Sequence, residues 1–119
     1  MTLTEGSADG RVHRFARNQA LFRAVNERIK DVGNGFGIEE GVEFLCECSN
    51  VDCAARVVLT AAEYEDLRTD PHRFVIAVGH SQPLVARVVS EGERYWVVEA
   101  LPGEPTAIAE RTAEPRDAD

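Results

Sequence analysis

All three cysteines of this 119-residue chain fall within the eight residues Cys46-Glu47-Cys48-Ser49-Asn50-Val51-Asp52-Cys53. No other stretch constrains the fold as tightly, because any structure has to give these thiols something to do. An odd number leaves one thiol over from any disulfide, so metal or redox chemistry explains the cluster better than a disulfide framework. The expected compartment agrees. Met1 to Gly10 lacks a basic start followed by an apolar run, and the longest uninterrupted apolar stretch, Phe74 to Val78, is five residues. Without a signal peptide or a membrane span the chain is expected to be cytoplasmic, where thiols stay reduced.

Hydrophobic alternation then predicts where the sulfurs point. Val42, Phe44, Cys46 and Cys48 fall on one side of a strand, and Glu43, Leu45 and Glu47 on the other. A tight return at Asn50-Val51-Asp52 and a second strand over Ala55 to Leu59 would set all three thiols on a hairpin knuckle. Zinc takes four donors at tetrahedral angles and favours thiolate and imidazole. The expected metal ligands are Cys46, Cys48, Cys53 and His80, around one structural Zn2+. His80 follows Gly79 at the end of an apolar strand, and His72, His13, Asp52 or water are the alternatives for the fourth position. The plainer account is that the cysteines are small buried hydrophobes.

The remaining periodicity predicts an α+β fold: a long N-terminal amphipathic helix packed on a small, mainly antiparallel sheet with a zinc knuckle. Asp9 can cap a helix from about Gly10 to Val32, with Gly33 as its stop. Its apolar stripe is Val12, Phe15, Phe22, Val25 and Ile29, with Leu21 and Ala16 beside it, and the opposite face is rich in arginine. Phe15, Phe22 and Ile29 stand at heptad intervals interrupted by Asn18, so the helix either packs on its own domain or meets a protein partner or a second copy. Gly33 to Gly37 reads as a loop, since no strand precedes it and no Lys-Ser or Lys-Thr follows. Thr60-Ala61-Ala62-Glu63 matches a capping box that opens a helix to about Arg68. Arg73 to Val78 is expected to be the central strand, and Leu84 to Val89 and Arg94 to Ala100 a hairpin, although Pro83 could begin a helical turn. The predicted organisation is a disordered leader (1–8), the helix (9–32), the knuckle-bearing core (33–101) and a mostly loose acidic tail (102–119) that pins Ile108 to the body.

Charge narrows the partners. Residues 1–31 carry six basic and four acidic side chains, whereas residues 32–119 carry seven and seventeen. An acidic body repels phosphate backbones, so nucleic acid is not favoured, and only Arg11, Arg14, Arg17, Arg23 and Arg28 on the helix keep that reading open. A zinc-dependent hydrolase would need an open metal position with Glu47 or Asp52 as general base, but sulfur-rich sites tend to be closed and structural. A thiol switch would need exposed thiols, and the alternation puts them beside Val42 and Phe44.

Four pieces together, Cys46-Glu47-Cys48 with Cys53 five residues on, Leu59-Thr60-x-x-Glu63-Tyr64, Phe74-x-x-x-x-Gly79-His80 and Tyr95-Trp96-Val97-Val98-Glu99, resemble a group of small uncharacterised proteins of actinobacterial type. That group also opens with a helix containing Arg and Asn, like Arg14 to Ile29. The resemblance implies a cytoplasmic location and the same Cys/His constellation, and it attaches no activity. The expected function is a non-enzymatic zinc-binding module acting in protein recognition or regulation.

Overall fold

The computed structural model describes residues 3–35 and 41–113. Its fold is α+β. A long helix, α1 (Leu3–Gly35), lies against two small antiparallel sheets and two shorter helices. Strands β1 (Val42–Leu45) and β2 (Arg56–Leu59) form one sheet, and β3 (Arg73–Ile76), β4 (Ala86–Glu91) and β5 (Trp96–Ala100) form the other in the order β3-β5-β4. Helix α2 (Ala61–Leu67) joins β2 to β3, and α3 (Glu104–Thr112) closes the described chain.

Several elements start where local chemistry says they should. The Thr60 side chain accepts from the Glu63 backbone N–H while the Glu63 carboxylate accepts from the Thr60 N–H, so the predicted capping box opens α2. Pro83 lies in a turn closed by Val85 N–H to Gln82 C=O, not in a strand.

Three expectations change. The central position of the three-stranded sheet belongs to β5, not to Arg73–Ile76. Phe74, Val75 and Ile76 read as continuously apolar because β3 sits between the two hydrophobic clusters: Phe74 and Ile76 face the cysteine side, Val75 the Phe44–Tyr64 side. The helix runs past Asp9 and Gly33 to Leu3 and Gly35, so residues 3–8 are helix and not a leader. Residues 33–35 of the expected Gly33–Gly37 loop are the end of α1, and residues 36–37, residues 1–2 of the leader and residues 114–119 of the tail lie outside the described residues. Within the tail, Glu104–Thr112 is helical. Pro105 suits the first turn, Ile108 buries against Ala16 and Ala20 of α1, and Ala109 joins the cluster around Phe74 and Val98.

The expected stripe is buried only in part: Val12 and Phe15 pack against one core cluster, Ile29 against the other, and Ala16 is buried, but the inward face is more polar than predicted. Ala16, Gln19, Ala20, Arg23, Asn26 and Glu27 are buried, whereas Leu21 is 55% and Val25 40% exposed. The cause is what α1 covers. On the side facing α1, Leu45 and Ser49 have backbone groups that no strand pairs, and these need polar partners. Asn26 supplies two of them, accepting from Leu45 N–H (2.8 Å) and donating to Leu45 C=O (2.9 Å). Asn18 donates to Ser49 C=O at 2.8 Å. Eight helical residues rise about 12 Å and four extended residues about 13 Å, so α1 tracks segment 45–49 from one asparagine to the next.

Arg23 docks the other side. Its guanidinium donates to the carbonyls of Pro71 (2.7 Å) and Ala109 (2.8 Å) and to the Thr112 hydroxyl (2.9 Å), and lies 4.9 Å from the centre of the Phe74 ring. Two of these acceptors are in the last turn of α3, where helical carbonyls lack partners and favour a cation. Arg68 covers Phe74 as well (5.7 Å) and donates to the Arg73 carbonyl.

Candidate metal centre

The hairpin and the β3–β4 connection deliver four soft donors to one point. Cys46 follows β1 directly, and its N–H to Ala55 C=O bond (3.1 Å) adds one rung to the β1–β2 ladder. Two residues on, the chain presents Cys48 on the same side, as alternation requires. It then reverses through a turn closed by Cys53 N–H to Asn50 C=O (3.0 Å), with the Asn50 side chain accepting from Asp52 N–H (2.9 Å). That reversal carries Cys53 back to the first two sulfurs.

His80 arrives from the other sheet. After β3 the chain turns through Ala77–His80, closed by His80 N–H to Ala77 C=O (3.0 Å). Gly79 at its third position has φ +83°, a conformation that side chains other than glycine's disfavour. The imidazole Nδ1 lies 3.5 Å from Cys53 Sγ and 3.7 Å from Cys46 Sγ. Among the described residues the three sulfurs and one histidine nitrogen all lie within 4.8 Å of one another, an arrangement able to hold one metal ion.

Burial is graded across the group. Cys46 and Cys48 are buried, Cys53 is half-buried and His80 is exposed. Backbone amides support the sulfurs: Ala77 N–H reaches Cys46 Sγ at 3.1 Å and Ala55 N–H reaches Cys53 Sγ at 3.5 Å. The Cys46 thiol hydrogen-bonds the Cys48 sulfur, which brings Cys48 down to about 5 and, with burial, pushes Cys46 up. A bound cation would favour the thiolate form of all three cysteines.

The alternative donors lie elsewhere. His13 Nδ1 is 2.6 Å from Glu104, and His72 Nε2 is 2.7 Å from Glu110, so both engage α3. Asp52 is exposed and outside the donor group.

Glu47, between the two buried cysteines, faces the opposite way, into the core. It is fully buried, and its carboxylate accepts from the Tyr64 hydroxyl (2.5 Å), Asn26 Nδ2 (2.8 Å) and Val75 N–H (3.0 Å). Its own N–H donates to Val75 C=O at 2.7 Å. With its lone pairs engaged on the far side of the strand from the sulfurs, Glu47 cannot act as general base for a metal-bound water. Alternation did not signal this role: it put Glu47 opposite the cysteines but also opposite Val42 and Phe44, whereas in the structure Phe44 and Val42 belong to the Tyr64 cluster and Cys46 and Cys48 to the other. The partners of Glu47, 17, 21 and 28 residues away, left no local trace.

Set against family models, curated proteins and solved structures, the chain matches none. No helix among the described residues is long and apolar enough to cross a membrane.

Proposed function

We propose that the chain is a non-enzymatic zinc module, in which one Zn2+ held by Cys46, Cys48, Cys53 and His80 locks the two sheets together, and that it works in protein recognition or regulation. The convergence of three sulfurs and an imidazole from two separate sheets carries this reading. A tetrahedral zinc with sulfur and nitrogen ligands implies sulfur-to-nitrogen separations of about 3.6 Å, and His80 Nδ1 lies 3.5 Å from the Cys53 sulfur and 3.7 Å from that of Cys46. Four protein donors complete a tetrahedral shell, which suits a structural ion. The engagement of Glu47 in the core supports the same conclusion.

Recognition is assigned to the outer face of α1. Leu21, Val25 and Val32 are 55%, 40% and 58% exposed there, beside the exposed Arg14, Arg17 and Arg28. Isolated exposed apolar residues are ordinary, but three at helical spacing along one element form a surface that fits a protein. The nucleic-acid alternative loses Arg23, which is buried and committed to α3.

Native mass spectrometry of protein purified without added metal tests both parts. One zinc per chain, with melting that falls after chelation, supports the structural ion. A metal-free mass, or melting that chelation does not change, overturns it. The same spectrum gives subunit count, and a dimer lost in Leu21→Asp would identify the partner of α1 as a second copy.

A further inference from the structure

Beside the metal centre the surface carries an open cleft of about 570 Å3 between α1 and the cysteine loop, bordered by Arg14, Phe15, Asn18, Asn50, Val51 and Gln82. It adjoins a second hollow of about 330 Å3 that reaches Cys48 and His80, and Ser49, Asn50 and Gln82 border both. We infer that this cleft is a binding site for a carboxylate carried on a small apolar group.

The polarity of the rim supports this. The Asn50 side-chain oxygen is taken by Asp52 N–H (2.9 Å) and the Gln82 side-chain oxygen by Leu84 N–H (3.1 Å), so what both amides have left to offer is their NH2 donors. Arg14 has no carboxylate partner among the described residues. Its guanidinium lies 5.7 Å from the centre of the Phe15 ring, on the rim of the same cleft. No carboxylate is among the described residues bordering the cleft, although the chain carries a net charge of −8. Asn18, whose NH2 is given to Ser49 C=O, leaves its oxygen as an acceptor. The Asn50 and Gln82 amides and the planar Arg14 guanidinium remain as donors and select a planar anion that accepts two parallel hydrogen bonds. Phe15 and the 61% exposed Val51 offer apolar contact to whatever carries that anion. Two sources share this chemistry, a free organic acid and an acidic residue within a peptide.

The cleft is formed by α1 and two turns, so the inference is separate from the identity of the ion. Its test is a titration of the isotope-labelled full chain, followed through the amide resonances of Ser49, Asn50, Val51 and the Gln82 side chain. N-acetyl-L-leucine is expected to move these saturably, N-acetyl-L-leucinamide is not, and Arg14→Gln is expected to weaken binding by tenfold or more. Tighter binding of acetyl-Glu-Leu-amide would identify the source as a peptide, and tighter binding of N-acetyl-L-leucine a free acid. Because Arg14 is exposed, Arg14→Gln is expected to melt like the wild type and to keep its metal content. Equal shifts with the amide or with inorganic phosphate, undiminished binding by Arg14→Gln, or no saturable shift at all would each overturn the assignment.

Discussion

The Tyr64 hydroxyl stands 2.5 Å from the Glu47 carboxylate, with both side chains fully buried. This contact lies directly behind the cysteine loop, since Glu47 separates Cys46 from Cys48 along the strand. A buried carboxylate is tolerated only when its lone pairs are engaged, and here α1, α2 and β3 each supply a donor.

Removing that hydroxyl tests the network. Tyr64→Phe keeps the ring stacked on Phe44, whose centre is 4.5 Å away, but leaves one carboxylate oxygen short of a donor. We expect a loss of about 1–3 kcal/mol in urea unfolding. Glu47→Ala, which strands three donors and opens a cavity, should lose more, and an unchanged midpoint in both would show that the network does not support the fold.

The same contact sets an alkaline limit. Burial pushes the Tyr64 phenol up, and the Glu47 charge adds to it. A group whose folded value is raised contributes stability that is whole below its unfolded value, near 10, and declines as pH rises beyond it. Stability should therefore fall above about pH 10, less steeply in Tyr64→Phe than in wild type. Chemical denaturation at a series of alkaline pH values reads the two slopes, and parallel slopes would contradict the assignment.

The donors should differ in weight. Cys46 is buried and receives an amide hydrogen bond, whereas His80 is exposed. Cys46→Ser and Cys53→Ser are expected to purify with little zinc. His80→Ala should retain three sulfurs and bind zinc more weakly, releasing it faster to a chromophoric chelator. Equal zinc retention in all three variants would remove these residues as ligands.

The turn before His80 offers a test that leaves every donor in place. Gly79 has φ +83°, and a Cβ added there meets nothing within 4 Å, so Gly79→Ala is a purely conformational change. We expect a cost of about 1–2 kcal/mol and a lower zinc affinity by competition titration, because the strain falls on the residue next to the one carrying the imidazole. Affinity equal to wild type would separate the turn from the metal centre.

Arg23 should prove harder to replace than its position on a basic helix suggests. Arg23→Lys keeps a cation but cannot reach Pro71, Ala109 and Thr112 at once. A loss of about 1–3 kcal/mol is expected, with amide exchange accelerating first in Glu104–Thr112. Uniform acceleration across the chain would mean that Arg23 does not specifically hold α3.

What could be read along the chain was what acts over a few residues. Alternation put Cys46 and Cys48 on one side and Glu47 on the other; the Asn50–Cys53 return and the Thr60 capping box are each closed by groups three residues apart. Gly79-His80 was visible as a turn pair at the end of an apolar strand. Tertiary structure decided the rest. Whether Asn26 and Arg23 face the interior depends on carbonyls 19 and 86 residues away, and α3 forms where Ile108 finds the small residues of α1. Hydrophobic period predicts the face of a helix that meets an apolar surface. Here α1 covers unpaired backbone as well as the apolar clusters that Val12, Phe15, Ala16 and Ile29 join, and the need to satisfy those polar groups left Leu21 and Val25 facing solvent.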